Sequence, residues 1–338
     1  MKYLSVNEYY KKTFGHKVYK LSLDAGCTCP TRDGTKGYGG CIFCSASGSG
    51  EFSSDKNLSI TEQIEKAKLL VQNKIKNENL SSANYIAYFQ NFTNTYGDEN
   101  SLIQKYTEAL NNPSIAGISI ATRPDCLSQS ILKKINELSK TEFPVPLKKQ
   151  QKHFSIELGL QTSCQKSVEY INRRYQNEEY TDAVLRIKKI NPDIHIVTHI
   201  IFGLPGETEE DMLNSVKFVV EQNRHAEQNT RHPELVSGSN NIAPDLRRDD
   251  RWGLKITSLY VLKNTLLSQM YEAGQYQPLT KEQYFDLLKK ALPLIPENCV
   301  VHRLTGDPPK SLLLAPNWTT DKKRVLNELM RIIFDIHP

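Results

Sequence analysis

Four of the seven cysteines, Cys27, Cys29, Cys41 and Cys44, stand in one stretch, LSLDAGCTCPTRDGTKGYGGCIFCSASGSGEF, residues 21–52. Cys41 and Cys44 form a C-x-x-C pair, a spacing that lets two thiolates reach one metal centre. Between Cys29 and Cys41 lie Gly34, Gly37, Gly39 and Gly40. Glycine tolerates positive φ, so this loop can bend around a bulky inorganic group. Three chemistries compete for such thiols. A disulfide framework is disfavoured, because nothing marks the chain for export and its length needs no staples. A structural zinc site would use all four thiolates, as C-x-C plus C-x-x-C. An iron–sulfur cluster would use three and leave one iron of a [4Fe–4S] unit open.

The run CPTRDGTKGYGGCIFC closely resembles the cysteine loop of a radical S-adenosylmethionine (radical SAM) family of the YhcC/YtqA type, related to the Elongator catalytic subunit and to coproporphyrinogen dehydrogenase-type proteins. The resemblance continues through TRPD (122–125), ELGLQ (157–161), INRR (171–174), THIIFGLPGE (198–207) and HRLTGD (302–307). It places the first cluster cysteine on Cys29, so the implied ligands are Cys29, Cys41 and Cys44, with Cys27 a neighbour. The competing register puts Cys27 in place of Cys29. The implied cofactors are a [4Fe–4S] cluster and S-adenosylmethionine, which together generate a 5′-deoxyadenosyl radical. The resemblance implies tRNA as substrate, at the wobble uridine, and an electron donor such as flavodoxin or ferredoxin. The alternatives are a radical SAM enzyme for a small metabolite or a protein side chain, and a non-enzymatic zinc-binding interaction protein.

The same resemblance assigns cofactor contacts. Thr93 and Asn94 follow the second strand and would meet the methionine ammonium. Gln161 and Arg173 would hold the ribose and the methionine carboxylate; a planar guanidinium suits a carboxylate. His199 and Ile201, two apart on a strand and so on one face, are placed at the ribose and the adenine. Glu157 shares a strand face with Gln161, and an acid inside a barrel needs a partner. The family's acid at the end of the third strand is Ala121-Thr122 here, which passes a methionine contact to Thr122 or Arg123. No catalytic residue can be named. Lys263 and the cluster His302, Arg303, Thr305 and Asp307 are candidate substrate contacts.

These residues need a scaffold that gathers distant segments. Apolar runs at 18–23, 85–89, 117–122, 154–160, 195–202 and 255–262 read as strands, alternating with helical patterns. Ser59-Ile-Thr-Glu62 is a capping box opening one of those helices. Alternation of this kind means parallel βαβ units, and six of them predict an α/β fold, an open (β/α)6 partial TIM barrel. The polar motifs all fall after strands, where ligands bind in such sheets. Residues 1–275 form the predicted barrel and 276–338 a C-terminal extension closing its open side. Residues 222–251 are polar and mixed in charge, and read as a flexible insertion. With 24% charged and 38% hydrophobic residues the chain reads as an ordinary soluble protein. The N-terminus has no apolar signal core and no run is long enough to span a membrane, so a cytoplasmic location is expected. A net charge of +5 is too small to argue for nucleic acid unaided.

Overall fold

The computed structural model describes residues 3–72, 84–145, 148–230 and 252–336. The chain opens with β1 (Leu4–Ser5) and α1 (Val6–Phe14), then β2 (Val18–Leu23), α2 (Ile60–Gln72), β3 (Asn84–Phe89), α3 (Glu99–Asn111), β4 (Ile115–Thr122) and α4 (Gln129–Ser139). A short hairpin, β5 (Phe143–Val145) and β6 (Lys148–Gln150), leads into β7 (His153–Gln161), α5 (Gln165–Tyr170), α6 (Asn177–Ile190), β8 (His195–Phe202) and α7 (Glu209–Thr230). The rest comprises β9 (Trp252–Ser258), β10 (Val261–Leu262), α8 (Leu266–Glu272), α9 (Lys281–Ala291), β11 (Cys299–Arg303), β12 (Leu313–Ala315) and α10 (Lys322–Ile336).

Eight strands make one sheet in the order β1-β11-β9-β8-β7-β4-β3-β2, and every pairing in it is parallel. The six expected units run from β2 to β9 as an open partial barrel. Two strands extend it: β11 from the C-terminal extension pairs with β9, and β1 pairs with β11 beyond it. The outward positions, such as Leu21, Phe89, Ile120, Ile156, Ile200 and Ile256, are buried under helices in one apolar core. On the inward face Lys20, Ser119, Glu157, His199 and Lys255 alternate with that core set, while Val18, Ile86 and Val300 form an apolar patch toward α1. Among the described residues no helix is long and apolar enough to cross a membrane.

One sequence expectation changes here. Residues 222–251 read as a flexible insertion, but α7 continues through Thr230, so the first part is helical. Val219, Asn223 and Ala226 form its buried stripe, and the Asn223 amide donates to the Tyr180 hydroxyl at 3.3 Å. Polar composition hid a helix that docks through a few small groups. The remainder, 231–251, lies outside the described residues.

Between β1 and β2, α1 crosses the amino-terminal end of the barrel. Ser5 and Glu8 close a capping box at its start and Gly15, in left-handed conformation, ends it. Tyr9 and Tyr10 pack with Val18, Ile86 and Val300. The rings of His153 and His195, the first residues of β7 and β8, meet them, with Tyr9 stacked on His195 at 4.8 Å. The barrel therefore has a sealed floor, and its inner space communicates with the carboxyl ends of the strands.

Candidate functional site

The cysteine loop leaves β2 at the carboxyl end and is held on three sides. Asn172, at φ 59°, donates to the carbonyls of Gly40 and Tyr38 at 2.7 and 3.3 Å. Both backbone groups of Ile42 are used: its amide donates to Ile171 and its carbonyl accepts from Leu267, at 3.2 and 2.9 Å. Arg32 donates to the carbonyls of Cys44 and Ser45 at 3.1 and 2.6 Å. Gly40 is required for this closure, since it has φ +74° and a Cβ there would lie 2.8 Å from Arg32 Nε. Gly40 thus lets the loop fold over its own arginine.

Cys29, Cys41 and Cys44 share one electrostatic environment. Burial pushes the Cys41 thiol up to about 12, the nearby Cys44 adds to this, and the guanidinium of Arg123 opposes it. Burial also raises Cys29, while its contact with the Thr93 hydroxyl, 2.9 Å from Sγ, lowers it. Cys27 differs. It packs against the outer core beside Lys105 and Asp24, and of the other cysteines only Cys29 acts on it. Among the described residues no three His, Cys, Asp or Glu side chains are grouped closely enough to hold a metal ion. The three thiols interact through charge without closing on a single point.

Three arginines surround them. Arg32 and Arg123 both act on Cys29 and Cys41, and Arg173 also lies within the influence of Cys41. Arg123 forks onto Asp125 with two contacts of 2.9 Å. Tyr175 lies between guanidiniums, with Arg123 at 4.8 Å and Arg173 at 4.2 Å from its ring. Cations so placed favour thiolate over thiol. Of this set the sequence reading had Arg173 and, as one option, Arg123. It missed Arg32 and Tyr175, although Arg32 stands inside the CPTRDG motif.

The structure redistributes the other expected contacts. Thr93 reaches Cys29, its hydroxyl 2.9 Å from the Sγ. Asn94 is a buried knot: its amide donates to Phe89, Asn91 and Ala121 carbonyls at 2.9–3.0 Å, and only its Oδ1 is buried without a partner. Gln161 ends β7 at φ 63° beside Gly159. Arg173 was expected to hold a carboxylate, but it is buried and all three guanidinium nitrogens are occupied. They donate to the carbonyls of Leu160, Thr162 and Tyr175 at 2.6, 2.8 and 3.0 Å and to Asn177 at 2.8 Å. That guanidinium clamps the turn after β7. Arg123, by contrast, faces the thiols.

His199 and Ile201 share a face as expected but meet different surroundings. His199 bonds the Thr257 hydroxyl at 2.9 Å, and burial pushes it down to about 3, with Lys255 adding to the effect. Ile201 packs with Ile42, Leu204 and Tyr276, which ties the C-x-x-C loop to β8. Glu157 has found its partners within the barrel: Lys20 at 2.5 Å, Ser119 at 2.8 Å and Lys255 in direct contact. Burial works against its charge, but the two ammonium groups hold it well below the usual carboxylate range.

The proposed substrate cluster is split. His302 lies at the sealed floor, stacked on His195 with their Nε2 atoms 2.8 Å apart; it does not face the carboxyl end. A register shift in β11 separates Val301 from Arg303, so Arg303 turns toward Lys20, Tyr88 and Lys255 instead. Lys263 and Asp307 do meet, with Ser45 and Phe52 of the cysteine loop, around a cavity of about 860 Å³. Asp307 there pairs with Lys322.

A parallel barrel with a cysteine loop after its first full strand has a counterpart among known proteins. The profile of the Radical SAM superfamily matches residues 35–219, and that of the Radical_SAM C-terminal domain matches residues 251–333. The chain belongs to the radical SAM superfamily. It is 34% identical over 328 residues to the uncharacterized protein YtqA of Bacillus subtilis (strain 168), covering 97% of this chain and 88% of that one. A shorter stretch of 70 residues is 39% identical to the tRNA-2-methylthio-N(6)-dimethylallyladenosine synthase of Lawsonia intracellularis (strain PHE/MN1-00), 19% of this chain and 15% of the other. Among solved structures, Elp3 of the archaeon Methanocaldococcus infernus superposes with a TM-score of 0.58 at 14% identity, over 93% of this chain and 63% of that one. At that identity the likeness is one of fold. Radical SAM membership makes this chain an enzyme, and the superfamily in general uses a [4Fe–4S] cluster with S-adenosylmethionine.

Proposed function

We propose that this radical SAM enzyme holds a [4Fe–4S] cluster on Cys29, Cys41 and Cys44 and modifies tRNA at the wobble uridine. The observation that carries the first part is the set of three mutually interacting thiols at the carboxyl end of β2, ringed by Arg32, Arg123 and Arg173. A cluster bound by three thiolates is anionic, and this cationic surround fits it. A set of thiols that interact without converging also suits a multi-iron unit better than one tetrahedral ion. When bound, the cluster and S-adenosylmethionine supply a primary carbon radical able to abstract hydrogen from substrate.

The chain's own residues supply binding and exclusion of water. Thr93 steadies Cys29, and Ile42 and Ile201 give an apolar wall beside the loop. Asn94 Oδ1, buried without a partner among the described residues, is an acceptor available to an ammonium group. Arg123 keeps its Nη1 outside the fork onto Asp125 and can offer it to a ligand carboxylate, whereas Arg173 is committed to its turn. A one-electron donor of the flavodoxin or ferredoxin kind completes the system, working in the cytoplasm. Support for tRNA comes from the partial similarity to a tRNA-modifying synthase and from the Elongator-like cysteine loop. The test is the nucleoside content of tRNA from cells with and without the gene, measured by mass spectrometry. A wobble-uridine derivative should disappear or change in the deletion strain and return on complementation. Unchanged nucleosides would remove the tRNA reading.

A further inference from the structure

The barrel's inner space, between the α1 floor and the cysteine loop, contains a charge imbalance. Among the described residues, Lys20 from β2, Lys255 from β9 and Arg303 from β11 face it, against one carboxylate, Glu157 from β7. The two oxygens of Glu157 are already taken, Oε1 by Lys20 and Oε2 by Lys255, so Glu157 cannot also neutralise Arg303. Lys20 and Lys255 lie over the Tyr88 ring at 4.8 and 4.7 Å, and Lys255 Nζ is 3.3 Å from the Tyr88 hydroxyl. Arg303 pairs in register with Lys255 and is exposed. Although protein walls surround them, the Lys20 and Lys255 side chains remain 23% and 12% accessible to solvent. The space is therefore enterable.

We propose that this space binds an anionic group, a carboxylate or a phosphate, carried by the reacting end of the substrate, with Lys255 and Arg303 as its contacts. Unbalanced positive charge in a walled cleft concentrates anions. Ammonium and guanidinium donors form the short charge-assisted bonds that fix one in place. Burial pushes Lys255 down to about 7, with Glu157 opposing, and a second anion beside it would restore its full charge. The floor at Tyr10 and His302 stops the ligand below, which sets its reacting carbon between the anion contacts and the thiols above. This placement rests on the radical SAM reading; the anion site itself does not depend on the substrate being tRNA.

The experiment is calorimetric titration of the full chain, with cluster and S-adenosylmethionine loaded, at fixed ionic strength. The probes are acetate, malonate and inorganic phosphate. Saturable binding of at least one probe is expected, weakened tenfold or more by Arg303→Gln and strengthened severalfold by Glu157→Gln. Lys289→Met, a surface lysine on α9, should leave it unchanged. Preference for the carboxylates would trace the anion to a side chain on the reacting group; preference for phosphate would trace it to a nucleotide. Absence of saturable binding to the wild-type chain, or equal binding by wild type and Arg303→Gln, overturns the proposal. Release of 5′-deoxyadenosine on reduction, measured in the same samples, reports on the radical SAM reading separately. Its absence alongside intact anion binding would remove that reading and leave the anion site standing.

Discussion

The two ends of the barrel use similar residues for opposite purposes. At the amino end, His153, His195 and His302 are stacked with Tyr9 and Tyr10 into a floor. There the His195 and His302 Nε2 atoms face one another, while the Tyr10 hydroxyl, His153 Nε2 and His302 Nδ1 are buried without a hydrogen-bond partner among the described residues; burial pushes His153 down to about 4, with Lys20 adding to the effect. At the carboxyl end, three cysteines are grouped with Arg32 and Arg123, whose guanidiniums hold the Cys44 and Ser45 carbonyls and Asp125 while acting on the thiols. The contrast teaches that a histidine or arginine in a parallel barrel gains its role from its height along the strand. His302 and Arg303 are adjacent in sequence, yet one closes the floor and the other faces the lumen.

The largest effect expected from breaking this contrast is at the rim. Cys41→Ala or Cys44→Ala should abolish cluster assembly, taking reconstituted protein from about four irons per chain to background, with the apoprotein's circular dichroism unchanged. Cys29→Ser should do the same, while Cys27→Ser should keep the cluster, because Cys27 is packed against the outer core. Iron analysis and the brown absorbance decide it. A cluster that survives Cys29→Ser but not Cys27→Ser would reverse the register of the loop.

The floor should fail in a different way. Tyr10→Ala removes a fully buried ring and should cost about 3–5 kcal/mol of stability, read as a lower urea midpoint. Iron content after reconstitution in the cold should stay near that of the wild type. Loss of iron in step with stability would mean that the two ends are one cooperative unit.

Much of this was legible in the sequence. The six βα units, the cysteine loop and the position of each motif after a strand follow from hydrophobic periodicity and glycine spacing, which are local signals. The strands VYKLSL and WGLKITS also carried a signal that went unread: Lys20 and Lys255 are lone cations at inward positions in otherwise buried strands. What was not legible depends on pairing across the sheet. Nothing in the first seventeen residues says that α1 plugs a barrel, because its two tyrosines gain meaning only beside His153 and His195. Arg173 matched an expected carboxylate contact, but its choice among four protein acceptors is a three-dimensional fact. His302 and Arg303 were separated by a register shift in β11, which no periodicity reveals.

A smaller effect tests the cationic surround of the thiols. Arg123→Gln should raise the Cys41 pKa by roughly one unit, or about 1.4 kcal/mol, and slow its alkylation by iodoacetamide in the apoprotein about tenfold. Cys299, buried at the amino end of β11 with its thiol raised by burial, should show no change in the same mass-spectrometric experiment. An unchanged Cys41 rate would mean that Arg123 serves only Asp125.

The smallest effect, and the sharpest contrast between the ends, is in the pH dependence of stability. His153 at the floor is held near 4, against about 6.5 for an unfolded histidine. Between those values the unfolded chain binds more protons, so this group makes stability rise with pH; its penalty appears as pH falls from about 6.5 toward 4. Glu207, just beyond the carboxyl end of β8, behaves oppositely. Burial raises it to about 7 while the Thr162 hydroxyl resists, and its Oε2 is buried without a partner among the described residues. From about 4.5 to 7 the folded chain binds more protons, so this group makes stability fall as pH rises. Each slope is bounded by about 1.4 kcal/mol per pH unit, and in the wild type they partly cancel. His153→Phe keeps an aromatic ring in the floor and removes the rising component, so its urea midpoint should fall more steeply from pH 5 to 7 than that of the wild type. Glu207→Gln removes the falling component, and its midpoint should rise over the same range. Slopes that move in the same direction in both variants would show that floor and rim are not electrostatically distinct.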